Sequence, residues 1–320
     1  MDVVESAAAC RALLDAARST GACVGLVPTM GALHEGHLSL VARARAECHT
    51  VAVSIFVNPL QFGDPEDIAH YPRTLEDDLR QCKEAGVDVV FVPPVAEMYP
   101  TWPEPPATTV SVHGVSEAWE GASRPGHFDG VATVVAKLFA IAGPCRAYFG
   151  LKDFQQLAVV RAMATELSLP VELVGCPIVR EDDGLARSSR NVRLGADERA
   201  AATVLSRALA AARAAVAAGE RSGPALAAAM RDVVATEPLV HLSYAAAVDA
   251  TTLAELETVA DPAALRLLIA AQVGPVRLID NSAALEGADE DAAPRPPAGR
   301  TPAPSAYVTA SVARQLERTG

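Results

Sequence analysis

Residues Val24–Leu40 read VGLVPTMGALHEGHLSL, and the reading of this stretch decides the fold. Val24 to Val27, apolar around Gly25, have the continuous hydrophobicity of a strand buried on both faces in a parallel sheet. Pro28 has no N–H to give to a ladder and is expected to end that strand. Beyond it, Gly31 and Gly36 let the backbone pass close to a ligand. The pattern Leu38-x-Leu40-Val41 then predicts a helix, so that His34 and His37 fall on its first turn and share one face. Unpaired N–H groups and the positive end of the dipole converge at a helix start, which makes this face a site for phosphate.

Outward from this stretch, strands and helices alternate. Residues 5–18 and 38–47 have helical periodicity, and 50–57 (TVAVSIFV) is a β-branched run closed by Asn58-Pro59. Residues 64–73 read as a turn-rich loop, 75–85 as a helix and 87–92 as a strand. Pro93, Pro94, Pro100, Pro103, Pro105 and Pro106 mark an irregular excursion. A helix at 131–142, a strand at 147–149, a helix at 154–167 and a strand at 171–174 follow. The alternation predicts an α/β fold, a doubly wound parallel sheet with right-handed crossovers whose ligands sit at the carboxyl ends of the strands. After Leu194 come alanine-rich helices at 197–218 and 224–236 and strands at 241–248, 265–273 and 276–279, a smaller α+β C-terminal domain. The expected divisions are 1–178, 179–285 and a tail, 286–320. That tail, acidic at Asp289-Glu290-Asp291 and rich in proline, has the composition of a disordered linker, with Val308, Val312 and Leu316 at helical spacing.

Composition bounds the function. Half of the 320 residues are hydrophobic, enough for two domains with a substantial core and too many for a mainly disordered chain. A net charge of −12 argues against a nucleic-acid surface, so an anionic substrate has to be held by a few local Lys, Arg and His residues. The six cysteines, Cys10, Cys23, Cys48, Cys82, Cys145 and Cys176, form no Cys-x-x-Cys pair and read as reduced thiols of a cytoplasmic protein. The N-terminal MDVVESAAACRALLDAAR carries acidic residues and not the basic start of a signal peptide, and no uncharged apolar run approaches about 20 residues. No membrane span is expected.

His34-Glu35-Gly36-His37 does not suit zinc, whose peptidase pairs stand at i, i+4 around a glutamate base, and no cysteine pair supplies further ligands. Strand before and helix after, it resembles the His-x-Gly-His signature of the nucleotidylyltransferase superfamily. The wider string PTMGALHEGH, Pro28–His37, resembles the pantothenate synthetase (pantoate–β-alanine ligase) family. Four further segments carry the same resemblance. Gln61, in Asn58-Pro59-Leu60-Gln61-Phe62-Gly63, has an amide that donates and accepts at once, which suits a small hydroxy acid. Arg124-Pro125-Gly126-His127-Phe128-Asp129-Gly130 is expected as a loop packing near the site. In Phe149–Leu157, Lys152 can meet phosphate charge, Asp153 can accept from ribose hydroxyls, and Gln156 can face the same cavity. The family usually reads Gly-Glu-Lys-Asp-Tyr-Gln-Gln here, so Leu151 and Phe154 depart from it. Residues Val179–Asn191 form a charged loop whose Ser188, Ser189 and Arg190 offer donors to a polyphosphate and which can close on a ligand.

The resemblance covers about residues 1–284. It implies a Rossmann-like domain with a lid, and ATP-dependent condensation of (R)-pantoate with β-alanine to pantothenate through a pantoyl adenylate, releasing AMP and pyrophosphate. It implies catalytic roles for His34, His37, Lys152, Ser188, Ser189 and Arg190. ATP contacts fall to those six and to Pro28, Thr29, Met30, Gly31, Gly150, Asp153, Val179 and Arg187, with Val179 meeting adenine through its backbone. Pantoate falls to Met30, Gln61 and Gln156. Mg²⁺ is implied on the ATP phosphates with its protein ligands unassigned, as is a homodimer. Arg187 stands where the family usually has Met; its guanidinium can stack on the purine, the favoured orientation, or reach the phosphates beside Arg190. Two rivals stay open. A nucleotidylyltransferase would release the adenylylated product, against which Gln61 and Gln156 argue. A non-catalytic nucleotide-binding regulator need not keep both histidines, Lys152 and Arg190.

Overall fold

The computed structural model describes residues 1–63 and 68–285. Residues 64–67 of the expected turn-rich loop, and the tail 286–320 with its Val308–Leu316 repeat, lie outside the described residues. Six strands, β1 (Asp2–Val4), β2 (Val24–Thr29), β3 (Thr50–Ile55), β4 (Val89–Phe91), β5 (Cys145–Gly150) and β6 (Val171–Cys176), form one sheet in the order β1-β4-β3-β2-β5-β6. Every pairing in it is parallel. The chain winds outward from β2 through β3 and β4 on one side and through β5 and β6 on the other, the doubly wound arrangement that the alternation predicts.

The helices of this part are α1 (Ala7–Ser19), α2 (Glu35–Glu47), α3 (Leu75–Glu84), the single turns α4 (Val95–Met98) and α5 (Glu120–Ser123), α6 (His127–Ala142) and α7 (Phe154–Glu166). Ser6 caps α1 by accepting from the Ala9 N–H at 3.2 Å. Helix α6 is apolar almost all round, and Val131, Val135, Leu138 and Phe139 bury it in the same cluster as Leu14 of α1 and Leu157 and Val160 of α7.

Helices α8 (Ala196–Ala201), α9 (Val204–Ala217) and α10 (Gly223–Val234) precede an antiparallel sheet of β7 (Val240–Asp249), β8 (Leu265–Val273) and β9 (Val276–Ala283), in the order β7-β8-β9. The stretch Ala196–Ala217 is long and apolar enough to cross a membrane by composition. Its Leu205, Ala208, Leu209 and Ala212 are instead buried in one cluster with Leu226 and Met230 of α10 and Leu267 and Ile269 of β8. The apolar stripe is consumed by the fold. All six cysteines are free, and the thiols of Cys23 and Cys48 lie 2.9 Å apart.

Four expectations are corrected. Pro28 does not end β2 but lies within it, opposite Ser54 of β3. At that level β2 no longer pairs with β5, so the missing N–H interrupts no ladder on that side. The first three residues beyond Met1 form an edge strand, β1, that helical periodicity from residue 5 onward does not reveal; its ladder is set by contact with β4 far along the chain. The predicted helix at 197–218 is broken at Ala202-Thr203 into α8 and α9. Finally, the Arg124–Gly130 segment is not a loop throughout: Gly126, at φ +78°, turns the chain, and α6 begins at His127.

Gly130 marks where α6 presses on the turn after β3. A Cβ there would lie 2.3 Å from the Leu60 carbonyl oxygen and 2.6 Å from the Gln61 nitrogen, both backbone atoms that cannot swing away. Gly130→Ala should cost about 1–3 kcal/mol, read as a lower midpoint of thermal unfolding, because the helix and the turn must separate. An unchanged midpoint would show that the contact has slack.

Candidate active site

The sheet opens at its centre. β2 pairs with β5 only through Gly25–Arg146 and Leu26–Ala147, yet runs on beside β3 to Thr29–Ile55, while β5 runs on beside β6 to Gly150–Cys176. The gap between these carboxyl ends is a cleft that holds, with the solvent at its mouth, about 1360 Å³ of empty space. Every residue assigned to the site from the sequence lines this cleft except Gly31.

Gly31 is set back because it makes the turn, at φ +80°, followed by Ala32 at φ +50°. The amides of Ala32 and Leu33 donate to the Asp78 carboxylate at 3.0 and 2.8 Å, and Asp78 itself is only 1% exposed. This buried carboxylate on α3 holds the β2–α2 connection, and sequence reading gave no sign of it because the partners are 46 and 45 residues apart.

His34 is not in the first turn of α2 but caps it, its Nδ1 accepting from the Gly36 N–H at 3.1 Å. A neutral ring that accepts at Nδ1 carries its proton on Nε2. The His37 ring lies 4.2 Å away, centroid to centroid, with its buried Nδ1 lacking any hydrogen-bond partner. Burial, then the neighbouring His34, pushes the His37 pKa down to about 3. Burial and Lys152 lower that of His34. Both imidazoles are therefore neutral donors at pH 7 and not cations.

Gln61 is 7% exposed and held at both ends of its amide, one N–H of which remains for a further partner. Its Oε1 accepts from Asn58 at 3.0 Å and its Nε2 donates to the Met30 sulfur at 3.0 Å. Asn58 in turn donates to the Gly130 carbonyl at 3.0 Å and accepts from the Tyr99 hydroxyl at 2.8 Å. His127 reaches the same turn: its Nδ1 lies 2.8 Å from the Gln61 carbonyl oxygen, and its Nε2 lies 3.3 Å from Arg124. Arginine can only donate, so His127 Nε2 accepts and Nδ1 carries the proton. Burial and Arg124 lower the His127 pKa to about 4, in keeping with that neutral tautomer.

On the opposite wall, the single turn Leu151–Asp153 presents Lys152, whose Nζ is 3.6 Å from Asp153. Burial alone would raise the Asp153 pKa, but Lys152 and Arg190 outweigh it and the carboxyl stays below its ordinary range. The charged loop after β6 is a tight hairpin. Arg180 and Ala186 form an antiparallel bridge, Gly184 turns at φ +90°, and the Arg187 N–H donates to the Val179 carbonyl at 2.9 Å. Ser188 caps the turn Ser189–Arg193 by accepting from the Arg190 N–H at 3.2 Å. Arg187 lines the cleft with its guanidinium on the carboxylates of Glu35 and, at 3.1 Å, Glu181. A neutral donor pair, two cations and a capped hydroxyl turn thus face a buried amide across one space, an arrangement suited to a polyphosphate beside a small polar acid.

Sequence reading did not assign Asn58, Tyr71, Arg124 or His127, all of which line the cleft. For His127 the signal was present: a glycine at the start of an apolar helix, immediately before a polar ring. Asn58 was visible only as a strand stop, because its partners Tyr99 and Gly130 are 41 and 72 residues away.

The model of the family described as pantoate-beta-alanine ligase matches residues 2–283. The chain is 57% identical over 257 residues to a pantothenate synthetase of Roseiflexus sp. (strain RS-1), covering 80% of this chain and 91% of that protein. It is 56% identical over 270 residues to that of Rubrobacter xylanophilus, covering 83% and 92%. The crystal structure of pantothenate synthetase from Thermus thermophilus is similar with a TM-score of 0.83 at 48% identity, over 89% of this chain and 99% of that one. Pantoate-beta-alanine ligase from Francisella tularensis, complexed with beta-gamma ATP and β-alanine, gives 0.72 at 30% identity, over 90% and 99%.

The depressed histidines tie stability to pH. Between the ordinary value of 6.5 and the folded values near 3 and 4, the unfolded chain binds protons that folded His37 and His127 refuse. The stabilisation is fully present above pH 6.5 and falls away as pH drops, by up to about 2 kcal/mol per histidine at pH 5. The unfolding midpoint should therefore decline from pH 7 to pH 5, above the carboxylate range, and decline less in His37→Gln. The same slope in both proteins would show that His37 takes up its proton in the folded state.

Proposed function

The chain belongs to the pantoate–β-alanine ligase family, and we propose on that premise that this cleft condenses (R)-pantoate with β-alanine to pantothenate at the expense of ATP. In the first step a pantoate carboxylate oxygen attacks the α-phosphorus of ATP. The new acyl–phosphate bond makes pantoyl adenylate, and pyrophosphate leaves. In the second step the β-alanine nitrogen attacks the acyl carbon, the amide bond forms, AMP leaves and the nitrogen loses its proton.

The observation that carries this reading is the placing of the His34–His37 pair, Lys152 and the Ser188–Arg190 turn in one cleft with buried Gln61 and with Gln156. Two anions must be brought together, so the protein's contribution is positioning and neutralisation of developing charge. The depressed histidine pKa values divide that labour. Lys152 and Arg190 supply positive charge, whereas His34 and His37 supply neutral N–H donors that need not be desolvated as cations. Met30, Gln61 and Gln156 are the groups for pantoate, with Val131, Val134 and Val135 of α6 as an apolar wall. Pro28, Thr29, Gly150, Asp153, Val179 and Arg187 serve the nucleotide. Among the described residues no group of three or more His, Cys, Asp or Glu side chains is set to cage a metal. Mg²⁺ fits on the phosphates of ATP, with Asp153 the carboxylate among the described lining residues. When bound there it screens phosphate charge.

Separate buried clusters of the two sheets support a division near residue 178, with 179–285 as the lid. Ala246, Val248 and Leu268 belong to the first cluster, so this lid stays in contact with the larger part. Family membership also carries the expectations of a homodimer, which analytical ultracentrifugation tests, and of a cytoplasmic location.

With ATP and pantoate alone, pyrophosphate should appear in a burst of about one equivalent per site and stop, and adding β-alanine should start turnover. Continued pyrophosphate release without an amine would instead identify a nucleotidylyltransferase. His37→Ala should keep the fold and slow the burst by about 10²–10³-fold, the usual loss for one donor to developing charge. A large fall in melting temperature with an unchanged burst would make His37 a packing residue.

A further inference from the structure

Two adjacent polar residues of β9, Asp280 and Asn281, are 4% and 2% exposed and lie outside the cleft lining. The Asn281 Nδ2 donates to the carbonyls of Leu151 and Lys152 at 2.9 and 2.8 Å. Its Oδ1 accepts from the Arg266 Nε at 2.8 Å. Because arginine only donates, the amide can be seated one way round, with oxygen toward Arg266 and both N–H bonds toward the turn that bears Lys152. Arg266, 4% exposed, holds its guanidinium 4.3 Å from the centroid of the Phe154 ring, the first residue of α7.

Asp280 serves the other loop. Its carboxylate accepts from both ends of the Arg180 guanidinium, at 2.6 and 3.0 Å, and Arg180 also donates to the Gly184 carbonyl at 3.0 Å and the Asn281 carbonyl at 3.3 Å. Gly184 is the corner of the hairpin that returns the chain to Ser188 and Arg190. Successive side chains of a strand point to opposite sides, so neighbouring residues can reach two different loops. Burying a carboxylate against a half-buried arginine, and an amide beside it, adds little as packing, since apolar residues of similar volume often stabilise as well. What these bonds add is direction: they set where two backbone segments lie relative to one rigid strand.

We propose that Asp280 and Asn281 are positioning residues for the adenylation step, a clamp by which the C-terminal sheet holds the Lys152 turn and the Arg180–Arg190 hairpin at a fixed separation. The proposal rests on reading the cleft as the ATP site. A triphosphate is then met from both loops at once, and an error in their spacing of about 1 Å lowers the rate by about 10²-fold although neither residue touches substrate.

The test uses the full chain with Asn281→Ala, Asp280→Asn and Arg180→Lys, the last being the milder change should a β9 variant fail to fold by circular dichroism. Hydrogen exchange is measured without ligand, and burst and steady-state kinetics with ATP, pantoate and β-alanine. Asn281→Ala should speed exchange in peptides covering 150–156, and Asp280→Asn and Arg180→Lys in those covering 179–190, each by about 10-fold or more. The pyrophosphate burst should slow by about 10²-fold and KM for ATP should rise, with KM for β-alanine unchanged. Lower melting temperatures with wild-type exchange in both segments and an unchanged burst would overturn the clamp and leave a packing role. Absence of AMP formation by the unaltered chain would overturn the functional reading instead, and the exchange measurement would still decide whether β9 holds the loops.

Discussion

The early parting of β2 from β5 is the constraint on which the rest of the molecule depends. Two pairs of residues join these central strands, and beyond Leu26 and Ala147 each strand keeps only its outer neighbour. In a parallel doubly wound sheet every connection leaves from the same edge, so the parting gathers four chain segments around one space: the turns after β2 and β3 on one side and those after β5 and β6 on the other. Pro28 can lie inside β2 because it sits where one ladder has already ended. The apolar length of α6 and the buried Asp78 are needed for the same reason. A cleft at the middle of a sheet removes packing from the centre, and its walls have to be held from behind.

Charge within this cleft is sorted by burial. The net charge of −12 belongs to the whole chain, but the described lining concentrates Lys152, Arg190, Arg187 and Arg124 around a single carboxylate, Asp153. The three imidazoles contribute no charge, because desolvation disfavours the protonated ring more than the nearby carboxylate favours it. That leaves them as directional donors and acceptors. The neutral tautomer of His127 follows from geometry alone, through an arginine that cannot accept. Arg187, neutralised by Glu35 and Glu181, joins the hairpin to the start of α2.

The two sheets divide the work of holding this arrangement. The large sheet generates the cleft, and the small one reaches it through β9, where polar side chains are buried at the junction and not in the centre of either hydrophobic cluster. Buried polar groups in that position are restrictive, because each has one geometry in which all of its bonds are made.

Much of this was legible in the sequence because it is local. The continuous apolar runs of β2 and β3, the repeat of α9 and the glycines of PTMGALHEGH encode strand, helix and turn within a few residues, and alternation of these elements implies parallel winding and a site at the strand ends. Motif strings therefore pointed to residues that the fold brings together in one cleft, with Gly31 displaced into the supporting turn. What lay outside reach was long-range: the edge pairing of Asp2–Val4 with β4, the Asp78 carboxylate under the Ala32 and Leu33 amides, the bonds from Asn58 to Tyr99 and Gly130, and the hold of Asp280 and Asn281 on two loops 100 and 130 residues earlier. Each is a hydrogen bond between groups brought together only by packing, so its partners have no spacing to read. The protonation state of the histidines is of the same kind. Their identity is local, but their charge is set by the solvent that the folded chain excludes.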